Sequence, residues 1–257
     1  MHCFYVPSER GQNADLLLTG REAHHARHVL RVRRGERVVV LDGAGYELLC
    51  EVQESERDKT KLTVIEKRWH PAPASRITLL QAVPKGKAME AIIQKATELG
   101  VFRIVPLLSE RVVAQLGEED AAHKAAKWRL VAREAIKQCG SAWLPEVEPL
   151  LSPYQFLARN EAFELPLIAS LENGSRPARE HFRAFQASHG RVPKSLCVWI
   201  GPEGDFTSVE TKAIKSSGAL PITLGPLVLR TETAALYCLS ILNYELLSPS
   251  ACEFQVP

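Results

Sequence analysis

Short apolar runs separated by tight turns make up most of residues 1–72. Val38–Leu41 is rich in β-branched residues and runs into the turn Asp42-Gly43-Ala44-Gly45. Tyr46–Val52 and Lys61–Glu66 are further apolar runs, with a charged turn between them. Runs of this length, bounded by turn residues, are typical of β-strands. We therefore predict a compact, barrel-like β unit in this part of the chain.

The pattern changes after His70–Ser75, a proline- and alanine-rich segment typical of a linker. Beyond it, apolar strand-like runs alternate with segments of helical spacing, which predicts an α/β domain with a largely parallel sheet. We expect two domains, residues 1–72 and residues 73–257. The strands of the second are predicted at Ile77–Val83, Val101–Leu108, Leu165–Leu171, Leu196–Ile200 and Ile222–Leu224.

Helices are predicted between these strands. Apolar residues at helical spacing run from Met89 to the natural stop at Gly100, and a long helix is predicted over Glu119–Cys139. Thr207 and Glu210 form a capping-box pattern that starts a further helix.

The last predicted helix, Ala234–Leu247, is apolar nearly all round, so we expect it to be buried. Either Thr231 or Thr233 is a candidate for its N-terminal cap. Both threonines stand directly before the apolar segment.

The composition is that of a soluble globular protein, with 257 residues, 46% hydrophobic and 24% charged. The formal net charge of +2 is only mildly basic, so any polyanionic partner must be inferred from local charge. The first residues lack a signal-peptide pattern, and no apolar run approaches the roughly 20 residues of a membrane span. We expect a cytoplasmic protein with no membrane partner.

Several common catalytic motifs are absent. The chain contains neither GxGxxG after an early strand nor GxxxxGK[ST], which argues against dinucleotide-dependent redox chemistry and P-loop hydrolysis. It also lacks GxSxG and HExxH. His24, His25 and His28 have no carboxylate or cysteine at ligand spacing, so we interpret them as part of a basic surface helix and expect no metal site.

Two segments near the C-terminus each leave a predicted strand and enter a predicted helix. Gly201–Gly204 follows Leu196–Ile200, and Leu224–Ala234 follows the strand that begins at Ile222. Ligands of open α/β sheets bind at the carboxyl ends of strands. The second segment also places an Arg–Glu pair at the start of an apolar helix, where unpaired buried charge would be costly. Both features predict one ligand site built from two loops.

The residues of these loops resemble a known family. The sequences IGPEGDFTSVE and LGPLVLRTETA are similar to the paired signatures of the knotted SPOUT methyltransferases, and most similar to those of the ribosomal RNA small-subunit methyltransferase E family. Matching segments appear along the chain in the family's order: HHARHVLRVRRGERVVVLDG, KGKAMEAIIQKATELGV, IVPLLSERVV and REAIKQCGSAWLPEV.

The resemblance implies a fold and a cofactor. The expected fold is an N-terminal PUA-like β-barrel followed by a SPOUT α/β domain whose C-terminal chain forms a deep trefoil knot. The expected cofactor is S-adenosylmethionine, with Leu224, Leu229 and Ala234 around its adenine. The residues implied in cofactor binding are Leu171, Gly201, Pro202, Glu203, Gly204, Leu224, Gly225, Leu229, Thr231, Thr233 and Ala234.

The resemblance also implies a reaction, methylation at N3 of a uridine in 16S ribosomal RNA. The expected enzyme is a homodimer that acts on the small-subunit RNA in an assembled 30S particle, without a metal. The N3 proton must leave before the nitrogen attacks a methyl group, so a base or an anion-stabilising cation is useful. Arg230 is the first candidate for the cation, and Glu232 or Glu203 for ordering it or taking the proton.

A basic segment independently favours an RNA substrate. Between Arg21 and Arg37 there are six arginines against two glutamates, and several arginines fall near helical spacing. Arginine binds phosphate through its planar fork of donors. The candidate RNA contacts are Arg27, Arg31, Arg33, Arg34, Lys85 and Lys87.

Four positions depart from the family's usual residues. Lys137 and Ser141 stand where an acidic residue and an arginine are usual, Asp205 where glycine is usual, and Leu227 where arginine is common. Two alternatives therefore stay open. One is a related knotted methyltransferase acting on transfer RNA or on a ribose hydroxyl. The other is a non-catalytic ribosome-assembly factor that kept the fold.

Overall fold

The computed structural model describes residues 1–7, 15–56, 58–111, 118–172 and 174–247. The chain divides into two compact units. The N-terminal unit contains Met1–Ala72 together with Ala132–Pro145. The C-terminal unit contains Pro73–Val131 and Glu146–Pro257.

The N-terminal unit is built on a five-stranded sheet in the order β1-β3-β4-β5-β2. β1 and β3 pair in parallel, and the other neighbours pair antiparallel. Alternate residues of β4, among them Leu48, Cys50 and Val52, are fully buried, as expected for strands with one face on a core. The elements of this sheet and its helix are β1 (His2–Tyr5), β2 (Asp15–Thr19), α1 (Gly20–His24), β3 (Arg37–Leu41), β4 (Tyr46–Ser55) and β5 (Lys59–Trp69).

The predicted turn after β3 is present and is held by a buried carboxylate. One oxygen of Asp42 accepts hydrogen bonds from the backbone N–H groups of Ala44, at 2.8 Å, and Tyr46, at 2.9 Å. Gly43 has a φ of 72° and Gly45 a φ of 106°, a region that glycine enters without steric cost. The β unit predicted from this turn pattern is therefore confirmed as a sheet joined by tight turns.

The basic segment is helical over a shorter stretch than its arginine spacing predicts. α1 continues into a π-helical turn, His25–Val29, which ends before Arg31. Arg31 has a φ of 53°, in the left-handed region, so the chain turns there. The helical spacing predicted for Arg27, Arg31 and Arg34 is therefore wrong, because of these three only Arg27 lies on the helix.

The C-terminal unit confirms the predicted α/β class. Its seven strands are all parallel to their neighbours, in the order β10-β12-β9-β11-β6-β7-β8. The trefoil knot implied by the resemblance stays a prediction. The elements are β6 (Arg76–Ala82), α2 (Ala88–Glu98), β7 (Arg103–Leu107), α3 (Glu118–Cys139, which ends in the N-terminal unit), β8 (Glu146–Val147), α4 (Pro153–Leu157), β9 (Leu165–Ala169), β10 (Arg176–Pro177), α5 (Ala178–His189), β11 (Ser195–Ile200), α6 (Ser208–Ser216), β12 (Leu220–Thr223) and α7 (Thr231–Leu246).

The central strands are buried along nearly their whole length, as expected where both faces of a sheet are covered. Every residue of β11 after Ser195 is buried, and β6 is buried after Arg76. Strands that are covered on both faces have continuous runs of apolar residues, whereas strands with one exposed face alternate apolar and polar residues. The capping box predicted at α6 is confirmed, since Thr207 accepts from the Glu210 backbone N–H and Glu210 from that of Thr207.

Helix α7 differs from its prediction in two ways. It begins at Thr231 rather than Ala234, and its cap is Arg230, whose side chain makes no capping hydrogen bond. It is also not buried all round, because Tyr237 is 48% exposed and Tyr244 67% exposed.

Among the described residues, no helix combines the length and apolar character that crossing a membrane requires.

Lys137 is buried within the N-terminal unit between two acidic residues. Its Nζ lies 2.9 Å from Glu22 Oε1 and 2.9 Å from Glu134 Oε2, and its side chain is 6% exposed. The second oxygen of Glu22 accepts a hydrogen bond from the Tyr5 backbone N–H at 3.2 Å. Lys137 therefore joins α1, the edge of β1 and the end of α3.

We predict that Lys137→Met destabilises the protein by roughly 3 kcal/mol, the lower end for breaking a buried ion pair. The reason is that Glu22, 17% exposed, loses its cation. Lys61→Met is the matched control, because its pairing with Asp15 at 3.8 Å is exposed and worth about 1 kcal/mol or less. Urea denaturation of both variants measures the difference. Equal losses would contradict a special role for Lys137.

The same site predicts a dependence on alkaline pH. Burial by itself lowers the pKa of Lys137, but hydrogen bonds to Glu134 and Glu22 outweigh it and the pKa is raised above its ordinary value. A raised lysine pKa contributes stability that is complete below the unfolded value and is lost as pH rises through the folded value. The difference in unfolding free energy between wild type and Lys137→Met should therefore shrink only above the ordinary lysine range.

Candidate functional site

A pocket lies where the carboxyl ends of three neighbouring strands meet. β9 pairs with β11 on one side and with β12 on the other, so the loops that follow all three strands converge. The pocket has a volume of about 570 Å³, including space open to solvent. The sequence prediction of one site from two loops therefore matches the strand order.

Most of the residues predicted to bind a cofactor line this pocket. The predicted residues found in its wall are Leu171, Gly201, Pro202, Glu203, Leu224, Gly225, Leu229, Thr231 and Ala234. Gly204 and Thr233 are not in the wall. The wall also contains Ala169, Ser170, Ile200, Asp205, Leu227 and Val228, which the sequence prediction missed although each lies within two positions of a predicted residue.

The loop after β11 folds back so tightly that Gly201 has no room for a side chain. A Cβ on Gly201 would lie 2.6 Å from Asp205 Oδ1 and 3.2 Å from the Phe206 backbone nitrogen. Asp205 has a φ of 60°, and its Oδ1 accepts a hydrogen bond from the Phe206 N–H at 2.8 Å. An aspartate tolerates this left-handed conformation because its short polar side chain bonds the local backbone. Burial raises the pKa of the Asp205 carboxyl.

A short chain of hydrogen bonds joins the two pocket loops. The Thr231 hydroxyl donates to the Gly201 carbonyl at 2.7 Å and accepts from Gln81 Nε2 at 3.0 Å. Gln81 is fully buried on β6 and donates also to the Ala82 carbonyl at 2.8 Å. Thr231 is engaged with the neighbouring loop, which explains why it does not cap α7.

A second set of contacts holds the Gly201–Gly204 loop from outside the pocket. Glu210 is fully buried, and its Oε1 accepts from the Glu110 backbone N–H at 2.9 Å. This bond holds the segment after β7, from which the Arg111 guanidinium donates to the Gly204 carbonyl. Sequence reasoning identified Glu210 as a local helix cap but missed its bond to Glu110, which lies 100 positions away.

Glu203 lines the pocket and also binds the loop after β6. Its Oε1 accepts a hydrogen bond from the Lys85 backbone N–H at 2.8 Å. The side chains of Lys85 and Lys87 are themselves exposed on that loop. The carboxylate of Glu203 is therefore fixed at the mouth of the pocket.

The Arg230–Glu232 pair is not the buried pair that the sequence led us to expect. Arg230 is exposed, and Glu232 is half-buried in the first turn of α7. Within the described residues neither side chain makes a hydrogen bond or an ion pair. Arg230 stands between Leu229 and Thr231, which both line the pocket. It is therefore a solvated cation beside the pocket rather than a desolvated one.

The predicted RNA contacts divide between the two units. The N-terminal unit carries Arg27, Arg31, Arg33 and Arg34, all exposed, with the Arg27 guanidinium donating to the Ser55 carbonyl at 2.7 Å. Lys85 and Lys87 belong to the C-terminal unit.

We predict that Thr231→Val lowers the unfolding free energy by about 1–3 kcal/mol, because it leaves the Gly201 carbonyl and one N–H of Gln81 without partners. Thr231 is 4% exposed. Thr233→Val, an exposed change of the same size two residues along, is the control and should cost far less. Thermal and urea denaturation check this, and two equal losses would contradict the bridging role of Thr231.

Family models match both parts of the chain. Residues 70–243 match the RNA methyltransferase domain family, and residues 18–65 match the RNA methyltransferase PUA domain family.

Similar proteins cover nearly the whole chain. A ribosomal RNA small subunit methyltransferase E of Bacillus subtilis is 34% identical over 233 residues, which is 89% of each chain. One of Aquifex aeolicus is 31% identical and covers 94% of this chain and 99% of its own.

Solved structures are similar to this chain in both sequence and fold. A methyltransferase of Legionella pneumophila in complex with its bound cofactor S-adenosylmethionine is 31% identical, with a TM-score of 0.85 over 94% of this chain and 96% of its own. A ribosomal RNA small subunit methyltransferase E of Neisseria gonorrhoeae bound to S-adenosylmethionine is 26% identical, with a TM-score of 0.81 over 95% and 97%. With these matches the resemblance read from the two C-terminal loops is confirmed, and the chain belongs to the ribosomal RNA small subunit methyltransferase E family.

Proposed function

We propose that this protein transfers a methyl group from S-adenosylmethionine to N3 of a uridine in 16S ribosomal RNA. The observation that carries the proposal is the pocket where β9, β11 and β12 end, with the Gly201–Gly204 and Leu224–Ala234 loops as its walls. Support comes from the names of the relatives and from the two structural neighbours solved with S-adenosylmethionine.

The residues of the pocket fit this cofactor. Leu224, Leu229 and Ala234 offer apolar walls to a flat adenine, and the backbone of Gly201 forms part of the same wall. The carboxylate of Glu203 lies in the wall, where it complements a positively charged sulfonium. When bound, S-adenosylmethionine supplies an electrophilic methyl group. The residues that we propose as its binding set are Leu171, Gly201, Pro202, Glu203, Gly204, Leu224, Gly225, Leu229, Thr231, Thr233 and Ala234.

Arg230 is the residue we propose for stabilising the uracil anion. Loss of the N3 proton places negative charge on the base, and a guanidinium beside the pocket offsets it. The side chain of Arg230 is exposed, so a substrate can reach it without displacing an existing ion pair. Glu232, in the first turn of α7, and Glu203, in the pocket wall, are the candidates for ordering the arginine once the substrate is bound or for taking the N3 proton. The remaining contribution is the positioning of the base against the methyl group.

The RNA contacts follow from exposed cations on both units. Arg27, Arg31, Arg33 and Arg34 lie on the N-terminal unit, most of which is matched by the PUA domain family. Lys85 and Lys87 lie on the loop whose backbone Glu203 holds. We propose that residues 1–72 are the RNA-binding domain and residues 73–257 the methyltransferase domain.

We propose that the enzyme works as a homodimer on an assembled 30S particle in the cytoplasm, without a metal. The exposed apolar side chains of the C-terminal unit support the dimer. Leu227 is 72% exposed and Val228 78% exposed at the pocket wall, and α7 exposes Tyr237 and Tyr244. A second copy that covered these groups would remove their apolar surface from water.

The proposed reaction is tested by mass spectrometry of small-subunit RNA from a strain without the gene and from the same strain with the gene restored. We expect one methyluridine to disappear and return. Nucleoside analysis identifies a base methyl, while a ribose methyl would favour the related 2′-O enzyme. Calorimetry with S-adenosylmethionine tests the assembly-factor alternative, which requires no cofactor binding.

We predict that Arg230→Ala reduces methyl transfer at least 100-fold, the scale of losing one group that stabilises a developing anion. S-adenosylmethionine affinity and the melting temperature should stay unchanged, because the side chain is solvated and makes no bond among the described residues. Arg183→Ala, an exposed arginine on α5, is the control and should retain activity. Full activity of Arg230→Ala would remove its proposed role.

We predict that the double variant Arg31→Ala, Arg34→Ala binds RNA more weakly and with a shallower salt dependence. The slope of log affinity against log salt should fall by about 0.7 for each phosphate of a single strand that the variant no longer neutralises. Arg176→Ala with Arg183→Ala removes two exposed arginines elsewhere and serves as the control. A slope unchanged from wild type would show that Arg31 and Arg34 do not contact the RNA phosphates.

A further inference from the structure

Three aromatic side chains cluster where the β4–β5 hairpin of the N-terminal unit ends. The ring centroids of Trp69 and Tyr46 lie 4.7 Å apart, and those of Trp69 and Trp143 lie 5.6 Å apart with the rings nearly perpendicular. Both distances are those of favourable aromatic pairs. Trp69 is nevertheless 52% exposed, so the cluster presents a large aromatic surface to solvent.

The backbone fixes this cluster in place. A Cβ on Gly45 would lie 2.6 Å from the Trp69 ring and 2.8 Å from the Trp143 ring. The turn before β4 can therefore pass this close to the two rings only with glycine at this position. The Trp143 indole N–H donates to the carbonyls of His70 and Pro71, both at 3.1 Å. The His70 N–H in turn donates to the Gly45 carbonyl at 2.8 Å. Trp69 is therefore held by rigid neighbours on a well-defined strand end.

A cation adjoins the aromatic cluster. The Nζ of Lys67 lies 3.9 Å from the centroid of the Tyr46 ring, and Lys67 has no ion-pair partner among the described residues. Lys67 and Trp69 are two positions apart on β5, so their side chains share one face of the strand. Arg68, between them, is on the other face and takes no part in this surface.

An exposed aromatic ring with neighbouring cations is the composition of surfaces that bind single-stranded nucleic acid. Bases stack on the ring, and the cations contact the backbone. Isolated exposed apolar residues are common and need no explanation, as for Ile65 on the same strand, which is 47% exposed. Trp69 differs from Ile65 because it is aromatic, packs against two other rings and belongs to a cluster that Lys67 adjoins.

We propose that Trp69 is a stacking platform for an unpaired base of the RNA and that Lys67 contacts the adjoining phosphate. The inference rests on the proposed function, because it takes RNA as the substrate. The Trp69 contact differs from the proposed arginine contacts because it depends on stacking rather than on charge. The occupant is a single-stranded segment, since bases within a duplex are already stacked on each other.

The test is the binding of a fluorescently labelled, unstructured RNA oligonucleotide to the full-length protein, followed by anisotropy. Trp69→Leu keeps an apolar side chain but removes the aromatic face, and it should weaken binding roughly 5- to 100-fold, the range for one stacked base. Trp69→Phe should recover most of the affinity. Ile65→Ala is the matched control and should bind as the wild type does.

The salt dependence separates stacking from charge. Trp69→Leu should leave the slope of log affinity against log salt unchanged, whereas Lys67→Gln should lower it by about 0.7. Wild-type affinity of Trp69→Leu would overturn the platform while leaving the proposed function intact. A changed oligomeric state of Trp69→Leu in sedimentation would also overturn it, because Trp69 would then be covered by a second copy. A wild type that binds no RNA would instead contradict the proposed function itself.

Discussion

The hydrogen bond from the Thr231 hydroxyl to the Gly201 carbonyl joins the two loops that form the pocket. Each loop leaves a different strand, and this bond ties one to the other. The Thr231 side chain is buried, and Gln81 supports it from β6 by donating to the same hydroxyl. A buried polar group that lost its partner would carry the full cost of desolvation, so the loops favour one arrangement. The shape of the pocket depends on that arrangement.

The Gly201–Gly204 loop is also held from outside, with the help of carboxylates that accept backbone N–H groups. Glu210 binds the backbone at Glu110, and Glu203 binds the backbone at Lys85. These contacts place the ends of β6, β7 and β11 in a fixed relation within the C-terminal unit. A site assembled on strand ends in this way is preorganised, so the substrate need not spend binding energy on ordering the loops.

Arg230 and Lys137 differ in their exposure to solvent. Beside the pocket, Arg230 is solvated and has no partner among the described residues, which leaves it free to meet an anionic base. In the N-terminal unit, Lys137 is buried between Glu22 and Glu134 and is structural. Glu22 lies on α1, and Glu134 lies on α3, the helix that also carries Lys137. The exposed cations, including Lys67 beside Trp69, are the ones available to phosphate.

Periodicity and local motifs in the sequence determined the classes of both units, the capping box at Thr207 and the place of the pocket loops. They also predicted most of the longer strands and helices within a few residues, but not β1, β2, β8, β10, α4 or α5. These features depend on interactions between residues close in the chain, which leave a regular pattern. Only the tertiary structure decided that β9 lies between β11 and β12, that α7 begins at Thr231, and that Arg230 is solvated. It alone brought Trp143 against Trp69. Such contacts join residues far apart in sequence, and their partners are chosen by packing, which has no periodic signature.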